Sequence, residues 1–288
     1  MKRDTTHWLG IDVSKSKLDV ALLDERGKFK NRVFPNDTKG HTALVNWLIE
    51  RTAAGLVHVC LEATGSYGDL VATTLVERNL LVSVVNPARV KGFAQSELTR
   101  NKTDRADAEL LARFCQALAP EAWLPAAPEV RELRALVERL GSLKEMQQQE
   151  INRLEAAINQ PGMRASIDSH LEWLKTSIEQ LERQINDHID GHPNLRRDAE
   201  LITSIPGLGK TTAAKLLAYL GDARRFKNGK ALAAFIGVVP RLRISGSSVR
   251  GRSMISRTGH AELRHSLYMP AIVAKQHNQL VSQFALRL

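Results

Sequence analysis

The stretch WLGIDVSKSKLDVALL, residues 8–23, decides the reading of the fold. Residues 8–13 are an apolar strand interrupted by one acid, and residues 18–23 read as a second strand. Successive side chains of a strand alternate, so Ile11 and Val13 face one side and Asp12 the other. A carboxylate in such a strand costs free energy unless it is paired or ligates a cation. A strand-end position, where Asp12 caps a neighbouring group, is the competing reading.

Outward from this pair, residues 28–34 alternate and suggest a third strand. Residues 39–52 read as helix, 56–61 as strand, 68–78 as helix and 81–85 as strand. Three strands followed by alternating helices and strands predict a mixed α/β sheet. Helical spacing of Ala106, Leu110, Leu111 and Phe114 predicts a helix over 103–118. Pro120, Pro125 and Pro128 then mark a linker, closing a first domain over 1–120.

Two heptad-like runs follow. The first is Leu133, Val137, Leu140, Lys144, Gln147, Ile151, Leu154 and Ile158; the second is Leu171, Leu174, Ile178, Leu181 and Ile185. Their three-four alternation is a coiled-coil seam, expected over 129–190, with Pro161 and Gly162 breaking it. The runs can pack on each other or on another chain, and self-association is the expected role. A small basic helical domain is expected over 198–288.

Charge is unevenly placed. The net charge is +10, yet residues 191–288 hold sixteen Lys/Arg against four Asp/Glu, and residues 1–190 hold twenty-five against twenty-seven. Five arginines and no acid lie between Arg241 and His260: Arg241, Arg243, Arg250, Arg252 and Arg257. A basic region of this kind predicts a polyanion partner, most simply nucleic acid. The two cysteines, Cys60 and Cys115, have no metal-ligand spacing and argue against a disulfide framework. No export signal or membrane-length apolar run is present, so a soluble, cytoplasmic protein is expected.

Three further acids accompany Asp12. Glu62 ends an apolar strand just before a glycine-containing turn, the edge where α/β sheets bind ligands. Asp104 and Asp107, at i and i+3, share a helix face. Capping and first-turn dipole roles account for that pair equally well. Taken together, four carboxylates from two strands and a helix are a donor set for two Mg²⁺ or Mn²⁺ ions in phosphoryl transfer. The segment GLGKTT at 207–212 looks like a phosphate loop, but the glycine that motif requires is Ser204 here. A helix-hairpin-helix-like turn that offers Lys210 and backbone N–H groups to a DNA phosphate fits better, beside a plain helix–helix turn.

These segments carry a family resemblance. GIDVSKSKLDVALLD, CLEATGSYG, VVNPARVKGFAQS and NKTDRADAELLARF resemble the DEDD transposases of family 110 insertion sequences. The resemblance implies an RNase H-fold, RuvC-like site made of Asp12, Glu62, Asp104 and Asp107. The segment FIGVVPRLRISGSSVRGRSMISRTGHAELRHSLY is similar to the family's transposase domain. There the resemblance implies a serine nucleophile at Ser245, with Ser247 and Ser248 close by, among Arg241, Arg243, Arg250 and Arg252. Read without the family, SGSS is a polar loop. The resemblance further implies recombination of donor and target DNA guided by a structured RNA. It also implies a homo-oligomer, a dimer or a tetramer at synapsis, whose active site joins the carboxylates of one subunit to the serine of another. No nucleotide cofactor is expected. A RuvC-like nuclease without a covalent intermediate is an alternative. So is an inactive nucleic-acid-binding protein, because family members continue into a further basic segment where this sequence stops at Leu288.

Overall fold

The computed structural model describes residues 5–52, 56–63, 65–97, 103–157, 160–245 and 249–287, with the side chains of Ser66 and of residues 242–253 outside that description. The chain divides into two compact units, Met1–Pro125 and Ala126–Leu288.

The first unit is built on a five-stranded mixed sheet. Strands β1 (His7–Val13), β2 (Lys17–Leu23) and β3 (Phe29–Pro35) form an antiparallel meander, and β4 (Val57–Glu62) and β5 (Leu81–Val85) add in parallel on the other side of β1. The order is β3-β2-β1-β4-β5. Antiparallel pairing of the first three needs only tight turns, whereas parallel addition needs helical crossovers. Those are α1 (Thr38–Ile49) and α2 (Ser66–Glu77), followed by α3 (Pro87–Ser96) and α4 (Asp104–Leu118). The expected mixed sheet is therefore present, and α3 is a helix that periodicity had not marked.

Pleating sorts the side chains into two layers. Leu9 and Ile11 join Leu18, Val20 and Leu22 against Leu44, Leu48, Val71 and Leu75 of α1 and α2. Each such fully buried aliphatic contributes on the order of 1.5–3 kcal/mol. Trp8 and Cys60 face the other side, with Val90 of α3 and Leu110, Leu111, Phe114 and Cys115 of α4. The cysteines, distant in sequence, are both free and buried in this second layer.

Gly10 explains how closely α4 approaches the sheet. A Cβ there would lie 2.0 Å from the Ala108 carbonyl oxygen and 2.5 Å from the Ala112 nitrogen, both backbone atoms that cannot rotate away. Gly10→Ala is expected to push α4 off β1. Overpacking of this kind costs roughly 3 kcal/mol, or about 6–12 °C in the melting temperature of a unit this size. Thermal denaturation followed by circular dichroism checks this; an unchanged midpoint would mean that α4 tolerates displacement. Segment 120–125 stays with the first unit, because Trp123 N–H donates to the Val82 carbonyl at 2.7 Å and the Ser83 hydroxyl donates to the Pro120 and Glu121 carbonyls.

The second unit opens with a helical hairpin, α5 (Pro128–Ala156) and α6 (Pro161–Gly191). Lys144 pairs with Glu182 at 2.6 Å, Glu150 with His170 at 3.2 Å, and His188 contacts the Glu129 carbonyl, so the two helices run antiparallel. Leu133, Val137, Leu140, Leu174, Ile178, Leu181 and Ile185 share one core. The two heptad runs thus pack on each other within one chain. The seam departs from the predicted register after Leu140. Leu143 is buried in place of Lys144, Glu150 is buried, and Ile151 is exposed; Ile158 lies outside the described residues. A three-residue step takes the place of the expected four because Leu143 gains by burial, whereas the Lys144 ammonium keeps water and its Glu182 partner.

Beyond the hairpin come α7 (Pro193–Thr203), α8 (Lys210–Leu220), a 3-10 turn (Ala223–Arg225) and α9 (Gly229–Ile236). A two-stranded antiparallel ribbon, β6 (Pro240–Ser245) with β7 (Val249–Ile255), precedes α10 (Ala261–Ser266), α11 (Tyr268–His277) and α12 (Gln279–Ala285). The expectation of a helical domain holds except at this ribbon. Its four arginines and loop-like SGSS hide the alternation that marks a strand, because the sequence gives neither face a strongly apolar character.

Candidate active site

The first site lies beneath the first turn of α4. Gly10 sits under Ala108 and Ala112. Two residues along a strand advance about 6.6 Å, and one helical turn back spans nearly the same distance. Asp12 therefore comes under the turn that carries Asp104 and Asp107. That turn is capped by Thr103, whose hydroxyl accepts from Ala106 N–H at 3.2 Å. Neither aspartate is the cap, so both carboxylates are left over for the site, at the positive end of the helix dipole. Glu62 ends β4 on the same face of the sheet as Cys60. Gly65 follows, with φ +96°, a left-handed turn that starts α2.

Electrostatically, these acids meet at Asp12. Its pKa is raised from 3.8 to about 6, first by burial, then by the negative charges of Asp107, Asp104, Asp19 and Glu62 in decreasing order. The other three predicted carboxylates thus each act on Asp12. Asp19 is a fifth acid that sequence reasoning missed. It stands directly opposite Asp12 in the β1–β2 ladder, which places both side chains on the α4 side, and it is only 8% exposed. A signal was available: Asp19 breaks the apolar run LDVALL as Asp12 breaks WLGIDV.

Lys17 ties the cluster together. Its ammonium lies 2.7 Å from an Asp104 carboxylate oxygen and 3.0 Å from Asp19. That ion pair holds the Asp104 carboxyl below its ordinary range. Among the described residues, no three His, Cys, Asp or Glu side chains are drawn tightly enough together to hold an ion as they stand. The donors are nonetheless carboxylate oxygens throughout, the chemistry of Mg²⁺ and Mn²⁺ sites. Burial first, and the neighbouring carboxylates after it, disfavour the charged form of Asp12, and a bound cation would offset both.

The second site is the β6–β7 ribbon. Ser245 is the last residue of β6 and pairs with Val249, with Ile244 opposite Arg250 and Arg243 opposite Gly251. Ser247 and Ser248, and the side chains of Ser245, Arg243, Arg250 and Arg252, lie outside the described residues. Arg241 and Arg257 are exposed. The root of the ribbon is pinned. Ser256 N–H donates to the Val239 carbonyl, Arg257 N–H to Gly237 and His260 N–H to Phe235. A Cβ on Gly259 would come within 2.5 Å of the Phe235 carbonyl oxygen, so glycine is needed for this approach. Lys210 is the exposed first residue of α8, after a turn from α7 in which Gly207 has φ +94°. The turn follows the helix α7, where a phosphate loop follows a strand, so GLGKTT does not have phosphate-loop architecture.

Residues 9–161 match the IS110-type DEDD transposase family, and residues 199–285 match the transposase family IS116/IS110/IS902. The chain belongs to the IS110 family of transposases. It is 33% identical to the pilin gene-inverting protein of Moraxella bovis, covering 92% of this chain and 82% of that one. It is 22% identical to the transposase for insertion sequence element IS1111A of Coxiella burnetii, over 93% and 83% of the two chains. The transposase is accordingly a DNA-cutting enzyme with DNA as its substrate, and DEDD membership points to divalent-metal dependence. No described helix is long and apolar enough to cross a membrane.

Proposed function

We propose that this transposase cuts and rejoins DNA with two divalent ions, Mg²⁺ or Mn²⁺, held by Asp12, Glu62, Asp104 and Asp107, and with Ser245 as covalent nucleophile. The observation that carries this reading is the placement of Asp12 and Glu62 at the ends of the adjacent strands β1 and β4, on the sheet face that α4 covers, with Asp104 and Asp107 on the first turn of that helix. When bound, the ions would polarise the scissile phosphate and offset charge developing on its oxygens. The chain's own groups do the rest. Asp12 and Glu62, on adjacent parallel strands, provide the fixed side of the cradle, and the first turn of α4 provides the other.

The Ser245 oxygen forms a bond to phosphorus, and the bond from phosphorus to a deoxyribose oxygen breaks. The serine proton is released and the departing oxygen takes up a proton. One phosphodiester replaces another, so a deoxyribose hydroxyl can reverse the step on a new strand without a nucleotide cofactor. Arg241, Arg243, Arg250, Arg252 and Arg257 supply positive charge along the ribbon, and Lys210 supplies it at the α7–α8 turn. A gene-inverting relative spanning most of this chain supports recombination over simple hydrolysis.

Guidance by a structured RNA rests on the family resemblance, with the protein reading RNA shape and DNA backbone and base pairing reading sequence. Assembly as a dimer, or a tetramer at synapsis, has the same support. The α5–α6 seam is spent within the chain, so association falls to other surfaces of the hairpin, where Met146, Met163 and Trp173 are exposed. Purification at low salt followed by sequencing of bound RNA tests the guide. One defined transcript, whose removal by ribonuclease stops recombination, is expected. A heterogeneous RNA population together with ribonuclease-resistant recombination would refute it.

A further inference from the structure

Lys17 has no assigned role, yet its ammonium stands between two carboxylates from different elements. Asp104 sits on the first turn of α4 and Asp19 on β2, at 2.7 and 3.0 Å from the same nitrogen. Asp19 is buried beside Asp12, where an unpaired carboxylate would be costly. Lys17 itself is partly exposed, with 43% of its side chain open to water. It begins β2, so its four-carbon stem reaches the helix from a fixed strand. The cluster thus already holds one cation, and that cation is covalently tethered.

We infer that Lys17 is a positioning residue that serves as the resident counter-cation of the carboxylate cluster, occupying Asp104 until a divalent ion displaces it. The inference rests on the metal-binding reading proposed above. Two consequences follow from charge alone. Before metal arrives, Lys17 keeps the Asp104 and Asp19 carboxylates from repelling Asp12 without compensation. When a divalent ion engages Asp104, it must break the Lys17 contact and then bear repulsion from a nearby ammonium. Lys17 therefore weakens metal affinity while it stabilises the metal-free arrangement.

Titration of the full-length protein with Mn²⁺, free ion being read by electron paramagnetic resonance, tests this without any reliance on activity. Lys17→Met should tighten Mn²⁺ binding roughly three- to tenfold, since it removes an exposed ion pair and one repulsive charge at close range. Lys17→Arg, which keeps a tethered cation, should bind like wild type. In an Asp104→Asn background the gain from Lys17→Met should shrink to the part that relief of repulsion supplies, because the contested carboxylate is gone. Unchanged or weaker binding by Lys17→Met would overturn the inference. A gain that survives in full with Asp104→Asn would also overturn it, since that is a general charge effect. If Lys17→Met does not fold, Lys17→Gln enters the same comparison with the same expected gain. Failure of the wild type to bind Mn²⁺ would instead defeat the metal-site reading itself and the inference with it. Wild-type binding with an indifferent Lys17→Met defeats only the inference.

Discussion

Asp12→Asn should abolish DNA cleavage, by about a thousandfold or more, and at the same time make the metal-free protein more stable at neutral pH. Loss of a metal ligand removes several kcal/mol of transition-state stabilisation, and each 1.36 kcal/mol is a factor of ten in rate. The stability change has the opposite sign because the Asp12 pKa is raised from 3.8 to about 6 in the folded state. Well below the ordinary value of 3.8 the carboxyl is neutral whether the chain is folded or not, and it contributes no penalty. Between these two values the unfolded chain ionises first, so folded stability falls as pH rises. Above pH 6 the full penalty is present, at most roughly 3 kcal/mol and less once salt screens the neighbouring acids. Asparagine never ionises and escapes it.

Melting curves in chelator should therefore show Asp12→Asn above wild type at pH 7.5, with the gap closing as the pH falls below 3.8. Mn²⁺ should raise the wild-type midpoint and leave the variant's nearly unmoved. Glu62→Gln, Asp104→Asn and Asp107→Asn should share the cleavage defect. Full cleavage by any two of the four variants would defeat the assignment. A fall in metal-free stability for Asp12→Asn at pH 7.5 would show that the carboxylate is instead held by favourable contacts.

The sheet and the acids it presents were legible in the sequence for a physical reason. Strand periodicity is local, so WLGIDV and LDVALL announce both their burial and their exceptions. Asp12 and Glu62 stand out as costly positions, and Asp104 and Asp107 as a shared helix face. What stayed hidden depends on distant partners. Gly10 reads as an ordinary strand glycine until the α4 backbone is found against it. Asp19 becomes part of the cluster only through its register opposite Asp12. Lys17 reads as a polar residue beside a strand until Asp104, 87 positions later, meets it.

Seam residues follow the same logic. Heptad spacing located α5 and α6 but not the step at Leu143, because Lys144 and Leu143 compete for the seam and only the Glu182 partner on the other helix decides it. The β6–β7 ribbon was illegible as strand for a different reason. ISGSSVRGR offers no apolar alternation in sequence, and the contacts that define the ribbon's root, such as the Gly237–Gly259 approach, join residues distant in sequence.

Ser245→Ala should eliminate the covalent protein–DNA adduct and lower recombination by about ten-thousandfold or more, the scale of loss when a covalent nucleophile is removed. DNA and RNA binding should survive, since the arginines of the ribbon and Lys210 are untouched. Because Ser245 ends β6 at the tip of a ribbon pinned at its root, the substitution removes one hydroxyl with little consequence for folding. The readout is a DNA-bound band that resists denaturation, followed by mass spectrometry of the linked peptide. Linkage at Ser247 or Ser248 would move the nucleophile to that serine.

Mixing Ser245→Ala with Asp12→Asn then tests whether the serine of one subunit works with the carboxylates of another. If it does, the mixture should recover part of the activity that neither variant has alone, because some assemblies pair an intact serine with an intact acid cluster. If both functions come from the same subunit, every active site in the mixture lacks one of them and recombination stays absent. Full recombination by Ser245→Ala with no adduct from the wild type would remove the covalent step altogether. The acid cluster would then act by metal-driven hydrolysis, with water in place of the serine as the group that attacks phosphorus.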